Sequence, residues 1–330
     1  VSDYTLIDPP KYMQTYLGCK KMMYIYSAKG CPCRCAFCSN MNFHKSTYRK
    51  RPNEYVLEEI RYLIENHGAD GFFFSDELWV VKREDLVDFC QKVHESGLKF
   101  QWGVELRIGM FGEEEYQMLY DAGCRWIFFG IETGSKEMQK IVHKNIDYNK
   151  IAPTFEILNK IGITTIGSFI IGFPNETVDQ LRDTVKLLNT VKANLTPVFH
   201  FTPIPGTELY DQVVANGTYK APKTLKAMSK VVATESLGVN LSAVPSVDLR
   251  VIRSWYLWKS FSSKGAIQEH GAFEFAKETI LNGLHSISLK GPINFFIDGF
   301  KALYEFLYIF WFSHAYPKII KKYDLDKTYD

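Results

Sequence analysis

The chain has 330 residues, 46% hydrophobic and 15% aromatic, enough for one barrel-sized domain with an appendage. Lys and Arg number 39 against 37 Asp and Glu, so the net charge of +2 excludes a strong field for nucleic acid or acidic partners. Seven cysteines, four of them within eight residues, are too few and too bunched for a disulfide scaffold and point to a reducing, cytoplasmic setting and a metal.

The start, "VSDYTLIDPPKYMQ", is polar, carries Pro9 and Pro10, and does not read as a secretory leader. It begins with Val, which raises the expectation of a missing upstream piece, and residues 1–21 read as a lead-in. The first strand is expected at "MMYIYSA" (22–28), followed at once by "KGCPCRCAFCSN" (29–40) with Cys31, Cys33, Cys35 and Cys38. Next, "NEYVLEEIRYLIENHG" reads as a helix with Asn53 as N-cap and Gly68 as its stop. Strands are then expected at 71–76, 100–106, 126–132, 165–172 and 197–203, each apolar nearly throughout, as strands of a parallel sheet buried on both faces are. Amphipathic helices lie between them, three stopping at Gly97, Gly123 and Gly162, and "NETVDQLRDTVKLLNTVK" follows the fifth strand. Strand–helix alternation with short links predicts an α/β fold with right-handed crossovers. Periodicity alone leaves an open sheet and an incomplete barrel both standing.

After about residue 215 the pattern changes, and 216–330 reads as a helical extension around 22–215. Helices are expected at "SVDLRVIRSWYLWKSF" and "HGAFEFAKETILNGLHS". "FLYIFWFSHAYP" (306–317) is too short to span a bilayer. Beside the basic "KIIKK" it reads either as a helix packed on the barrel, the favoured reading, or as an interfacial helix giving peripheral membrane contact.

The cysteine loop follows the first strand, at the strand ends where parallel α/β folds build their sites. Structural zinc commonly takes two separated ligand pairs, and no second Cys or His pair stands at a suitable spacing. Thiolate-only ligation fits an iron–sulfur cluster better, with zinc the alternative. Cys31, Cys35 and Cys38 give C-x3-C-x2-C; three thiolates on a cubane leave one iron open for chemistry. Cys33 reads as a bystander, with replacement of Cys31 or Cys35 as ligand left open.

Cys31-x3-Cys35-x-Phe37-Cys38 after a first β-strand resembles the radical S-adenosylmethionine (SAM) superfamily. "GIETGS" (130–135), "SFIIGFPNET" (168–177) and "PIPGTELYD" (203–211) are similar to the barrel of its cobalamin-associated subgroup, which includes anaerobic magnesium-protoporphyrin ester cyclases and many C-methyltransferases. The resemblance covers about residues 3–215. It implies a partial (β/α)6 TIM-type barrel and a [4Fe–4S] cluster held by Cys31, Cys35 and Cys38 as the catalytic centre. It further implies reductive cleavage of SAM to a 5′-deoxyadenosyl radical, and activation of a substrate C–H bond for methylation, cyclisation or rearrangement. Residue by residue, it sets Phe37 beside the adenine, Ser75, Asp76 and Glu77 at the SAM amino group, and Glu132 and Thr133 at the ribose or methionine end. Arg107 falls to the SAM carboxylate, and Ile170 and Gly172 to the adenine. This chain lacks the Gly-Gly-Glu of many members, which weakens the Ser75–Glu77 assignment. No Asp-x-His-x-x-Gly occurs, which leaves three expectations open: a cobalamin domain upstream and absent here, a separate cobalamin protein, or a stand-alone barrel. The expected partners are a small, apolar or lipid-like substrate and an electron donor such as flavodoxin or ferredoxin. The rival from another class is an iron–sulfur electron-transfer or cluster-holding subunit without SAM turnover.

Overall fold

Six of the apolar runs form parallel strands, each flanked by helices that bury one stripe. The computed structural model describes residues 6–229, 238–262 and 314–324, together with Tyr4, Val231, Leu307 and Trp311. A short antiparallel strand β1 (Gln14–Tyr16) leads into β2 (Cys19–Ile25); a two-stranded ladder pairs β3 (Ala28–Lys29) with β4 (Arg49–Lys50). The remaining strands are β5 (Gly71–Phe74), β6 (Gln101–Leu106), β7 (Cys124–Glu132), β8 (Thr164–Ile171) and β9 (Val198–His200). The main sheet has seven strands in the order β1-β2-β5-β6-β7-β8-β9, parallel from β2 to β9, curled into a half-barrel. The open-or-closed question is thereby answered as a partial barrel with six parallel strands.

The helices carry the crossovers: α1 (Asn40–His44), α2 (Asn53–His67), α3 (Arg83–Ser96), α4 (Glu113–Asp121), α5 (Lys136–Ile141), α6 (Ile151–Ile161), α7 (Val178–Thr190) and α8 (Glu208–Ala215). Gly68, Gly97 and Gly162 close α2, α3 and α6 in the left-handed conformation. Pro52 occupies the N-cap position expected for Asn53, whose amide is instead buried and donates to Asp88 at 2.6 Å. The first strand starts earlier and ends sooner than the run 22–28 suggests, because Ser27 is held in the following turn by Asp76. Beyond the barrel lie α9 (Leu225–Met228), α10 (Ser246–Ser262) and α11 (Tyr316–Tyr323). The expected helix at 270–286 lies outside the described residues.

In β5 and β7 the residues packed under the helices are fully buried, while a concave-side phenylalanine on each strand is partly open. Phe72 and Phe74 flank the half-buried Phe73; Ile127 and Phe129 flank Phe128. Under α3, Phe74, Trp79, Phe89 and Trp102 form one aromatic knot with ring centroids 5.2–6.0 Å apart, mostly edge-on. Leu249, Ile252 and Tyr256 of α10 belong to the same core, so part of the extension is continuous with the barrel. Tyr316 stacks on Trp255 at 4.7 Å, and Tyr316 and Ile319 are buried. Of the described tail residues, Tyr316 thus packs on the protein, while Leu307 and Trp311 are exposed. Among the described residues no helix is long and apolar enough to cross a membrane.

Phe89 has no polar partner and touches three rings of the knot. Phe89→Ala is expected to cost about 3–5 kcal/mol. In urea unfolding this will lower the midpoint with an unchanged slope.

Candidate active site

The cysteine loop has no ladder of its own; other segments shape it. Asp76, at the end of β5, accepts from Ser27 N (2.9 Å), Ser27 Oγ (2.5 Å) and Ala28 N (3.0 Å) and so fixes the chain just before the loop. Burial pushes its carboxyl up to about 6. Gly30 N donates to Glu77 Oε2 at 2.9 Å. Gly30 has φ +88°, and a Cβ there would lie 2.1 Å from the Thr47 carbonyl, so only glycine fits this entry. Asn40 Nδ2 donates to Cys31 O at 2.9 Å. Ala36 is held on both sides: its N donates to Val142 O (2.9 Å) and its O accepts from Leu209 N (3.0 Å).

These contacts turn all four loop thiols toward one cavity of about 190 Å³ at the C-terminal ends of the strands. Leu78, Leu106 and Phe128 supply apolar wall; Glu77, Glu105, Glu132, Arg107 and Lys144 bring charge; Phe37 and Ser168 complete the lining used here. Lys144 Nζ lies 2.9 Å from Glu132 Oε1, a nearly buried ion pair. Arg107 reaches Cys33 Sγ with Nη1 (3.3 Å) and gives Nη2 to the carbonyls of Lys144 and Asn145. Cys33 is lowered to about 6 by its hydrogen bond with Cys31 and by the Arg107 and Lys144 cations, while the same bond drives Cys31 well above the thiol range. Burial raises Cys35 and Cys38. Glu105 is raised to about 7 by burial and by Glu132 beside it.

Of the residues singled out from sequence, Cys31, Cys35, Cys38, Phe37, Glu77, Arg107 and Glu132 line this cavity. Glu77 is also tied to Gly30 and to His44 (3.3 Å). Ser75 donates its N to Ile25 O and Asp76 is spent on the turn before the loop; neither lines the cavity. Thr133 is fully buried against Thr184 of α7 (3.1 Å), away from the lining. Ile170 packs with Phe37 and Phe173, and Gly172 opens the turn after β8. Sequence reading passed over Glu105, Lys144 and Ser168. A carboxylate in the apolar run "FQWGVEL" was a visible signal for Glu105. Nothing local marks Lys144, which arrives from a loop between α5 and α6.

A family model described as the radical SAM superfamily matches residues 25–188, from the end of β2 to α7. The chain belongs to the radical SAM superfamily. Members of this family use a [4Fe–4S] cluster and SAM. An uncharacterized methyltransferase of Pyrococcus horikoshii is 28% identical over 192 residues, 58% of this chain and 42% of its own length. The anaerobic magnesium-protoporphyrin IX monomethyl ester cyclase of Rubrivivax gelatinosus is 27% identical over 214 residues, 64% of this chain and 38% of its own. The radical SAM methyltransferase TsrM of Kitasatospora setae, solved with cobalamin and a [4Fe–4S] cluster, shares the fold at TM-score 0.55 and 20% identity, covering 63% of this chain and 39% of that one. The matched part therefore spans about two fifths of these relatives' lengths.

The radical SAM residues fit a thiolate-held cluster. The donors are all sulfur, they share one cavity, and two cations stand against them, which suits thiolates. Among the described residues no three Cys, His, Asp or Glu side chains converge on a single metal ion.

The turn after β8, whose Ser168 lines the cavity, is held by Glu176. Its Oε2 accepts from Gly172 N at 2.6 Å; its Oε1 is buried without a partner. Burial raises Glu176 to about 7. A raised carboxyl binds its proton in the folded chain where the unfolded chain has lost it, so its stability contribution falls as pH rises from about 4.5 to about 7. Glu176→Gln keeps an acceptor for Gly172 and removes the charge. Its melting temperature relative to the parent is expected to rise between pH 5 and pH 8, by an amount equivalent to at most about 3 kcal/mol.

Proposed function

We propose that this chain is the SAM-cleaving barrel of a radical enzyme in which Cys31, Cys35 and Cys38 hold the [4Fe–4S] cluster and a small apolar substrate is activated at a C–H bond. The observation that carries this reading is the convergence of those three thiols, with Phe37, Glu132 and Ser168, on one cavity at the strand ends. When bound, the cluster and SAM supply one-electron reductive cleavage of the sulfonium and, through it, hydrogen abstraction from the substrate.

The protein's own residues bind, orient and exclude water. Leu78, Leu106 and Phe128 keep the cavity dry on its inner side. Phe37 offers a ring, supported by Phe173 at 5.8 Å, for one adenine face, and Ile170 an apolar wall in the same cluster. Glu132 offers a carboxylate to the ribose or the methionine end. Glu77 is the member of its trio best placed for the amino group, since it alone of the three lines the cavity. Arg107 can take the SAM carboxylate only by giving up Cys33 or a carbonyl. Cys33, engaged by Arg107, serves beside the cluster and not as its ligand.

An apolar substrate is supported by the concave face below the cavity, where Tyr24 and Phe73 lie edge to face at 5.9 Å with their rings partly open. Cobalamin would act from outside these residues, and flavodoxin or ferredoxin would supply the electron. Methylation and cyclisation both stand within this reading.

Anaerobic reconstitution with iron and sulfide, reduction with dithionite and addition of SAM is expected to yield 5′-deoxyadenosine. Cys35→Ala should reduce both the cluster absorbance and this product to background; Cys33→Ala should retain both. Product at parental level in Cys35→Ala, or loss of the cluster in Cys33→Ala, would sink the ligand assignment.

A further inference from the structure

Lys144 is buried at the cavity wall, and the backbone goes to some length to put it there. Residues on both sides, His143 (φ 53°) and Asn145 (φ 49°), are left-handed without being glycine. Such conformations persist only where surrounding contacts over-determine them. Here the contacts are visible: Lys144 N donates to Gln139 O (3.1 Å), Ile146 N to Gln139 Oε1 (3.1 Å), and Arg107 clasps the carbonyls of Lys144 and Asn145. The same short segment receives Ala36 N at Val142 O, so it is fastened directly to the cysteine loop.

Its ionic partner is equally constrained. Between β7 and β8 the register runs Gly130 to Ser168 and then Glu132 to Phe169, so one extra residue is accommodated on β7. Ile131 goes into the core and Glu132, at φ +70°, turns its carboxylate to the cavity. The ammonium and carboxylate then meet over Gly130. A Cβ on Gly130 would lie 2.2 Å from Glu132 Oε1 and 2.7 Å from Lys144 Nζ, so a side chain there would displace the pair from this geometry. Lys144 lines the same cavity as Cys31, Cys33, Cys35 and Cys38, which puts its charge at the wall that the thiols face.

We propose that Lys144 is a positioning residue that locks Glu132 at the strand end and sets a fixed positive charge against the cluster, making the cluster easier to reduce. The proposal rests on the reading that Cys31, Cys35 and Cys38 hold a cluster. Reduction adds negative charge, and a nearby cation in a poorly solvated wall favours the reduced form. Arg107 acts through the same device, since it holds the Lys144 backbone and touches Cys33.

The test is a redox titration of the reconstituted chain, with dithionite as reductant and the reduced cluster followed by electron paramagnetic resonance. Lys144→Met is expected to keep the parental iron and sulfide content and to shift the midpoint to a more negative potential. Lys144→Arg is expected to recover most of that shift. An intact cluster with an unchanged midpoint in Lys144→Met overturns the proposal. So does loss of the cluster in both variants while the parent holds it, because Lys144 would then be structural only. A parent that assembles no cluster tells against the ligand assignment instead, and the metal-free chain still tests the pair. There Glu132→Gln and Lys144→Met should each lower the melting temperature, and the double variant should lose less than the sum. Additive losses would refute the pairing.

Discussion

The constraint on which the site depends is that a loop without a ladder must still satisfy its buried backbone groups. Residues 30–39 meet it by borrowing partners from four places. Glu77 accepts from Gly30 N, Asn40 gives to Cys31 O, Val142 accepts from Ala36 N, and Leu209 gives to Ala36 O. These partners come from β5's far end, from α1, from the segment after α5 and from the start of α8. The loop is therefore correct only when strands distant in sequence are already in register. This ties the thiols' geometry to the integrity of the half-barrel. It also explains why so much polar chemistry at the strand ends, Asp76 above all, goes to holding backbone and not to meeting a ligand.

Much of the frame was legible because parallel strands buried on both sides leave an unbroken apolar signature, and Gly68, Gly97 and Gly162 punctuate it. Strand ends were less legible. Tyr26 and Ser27 look as strand-like as Ile25, but Asp76, 49 residues away, and Arg51 hold this stretch in a turn. The edge strand β1 has three residues in a polar lead-in, with no pattern to read. At the site, cysteine spacing carried its own chemistry, so the thiols could be named outright. Lys144 could not, because its role depends on two left-handed neighbours, a bulge in β7 and an arginine from β6's end, none of which leaves a local trace.

The charges at the cavity divide between holding and being held. Glu132 and Lys144 stay charged and attract each other at 2.9 Å, which makes their burial tolerable but costs desolvation that the attraction only partly offsets. Such a pair is a poor source of stability and a good source of fixed geometry. Glu105 stands apart: it lines the same cavity, and burial with Glu132 beside it raises its carboxyl to about 7. The wall therefore presents a locked ion pair beside a carboxyl held above the usual carboxylate range.

The helical extension bears on this wall from outside. Asn175 N donates to Leu241 O and Ala243 N to Glu176 O, so the segment before α10 pairs with the turn that follows β8. Leu249 of α10 then stands where a Cβ on Gly172 would meet it at 3.1 Å. Through Glu176 the turn is fixed to Gly172, and through Phe173 and Ile170 it reaches Phe37 in the cysteine loop. α10 is held in turn by α11, where Tyr256 and Tyr316 share a hydrogen bond at 3.1 Å and Lys322 reaches Asp248 at 2.6 Å. The described segment 238–262 is thus connected to the thiol loop by continuous packing. A change in α10 will be felt first at Gly172 and Ile170, the part of the barrel where an adenine wall is expected, before it is felt at the cysteines themselves.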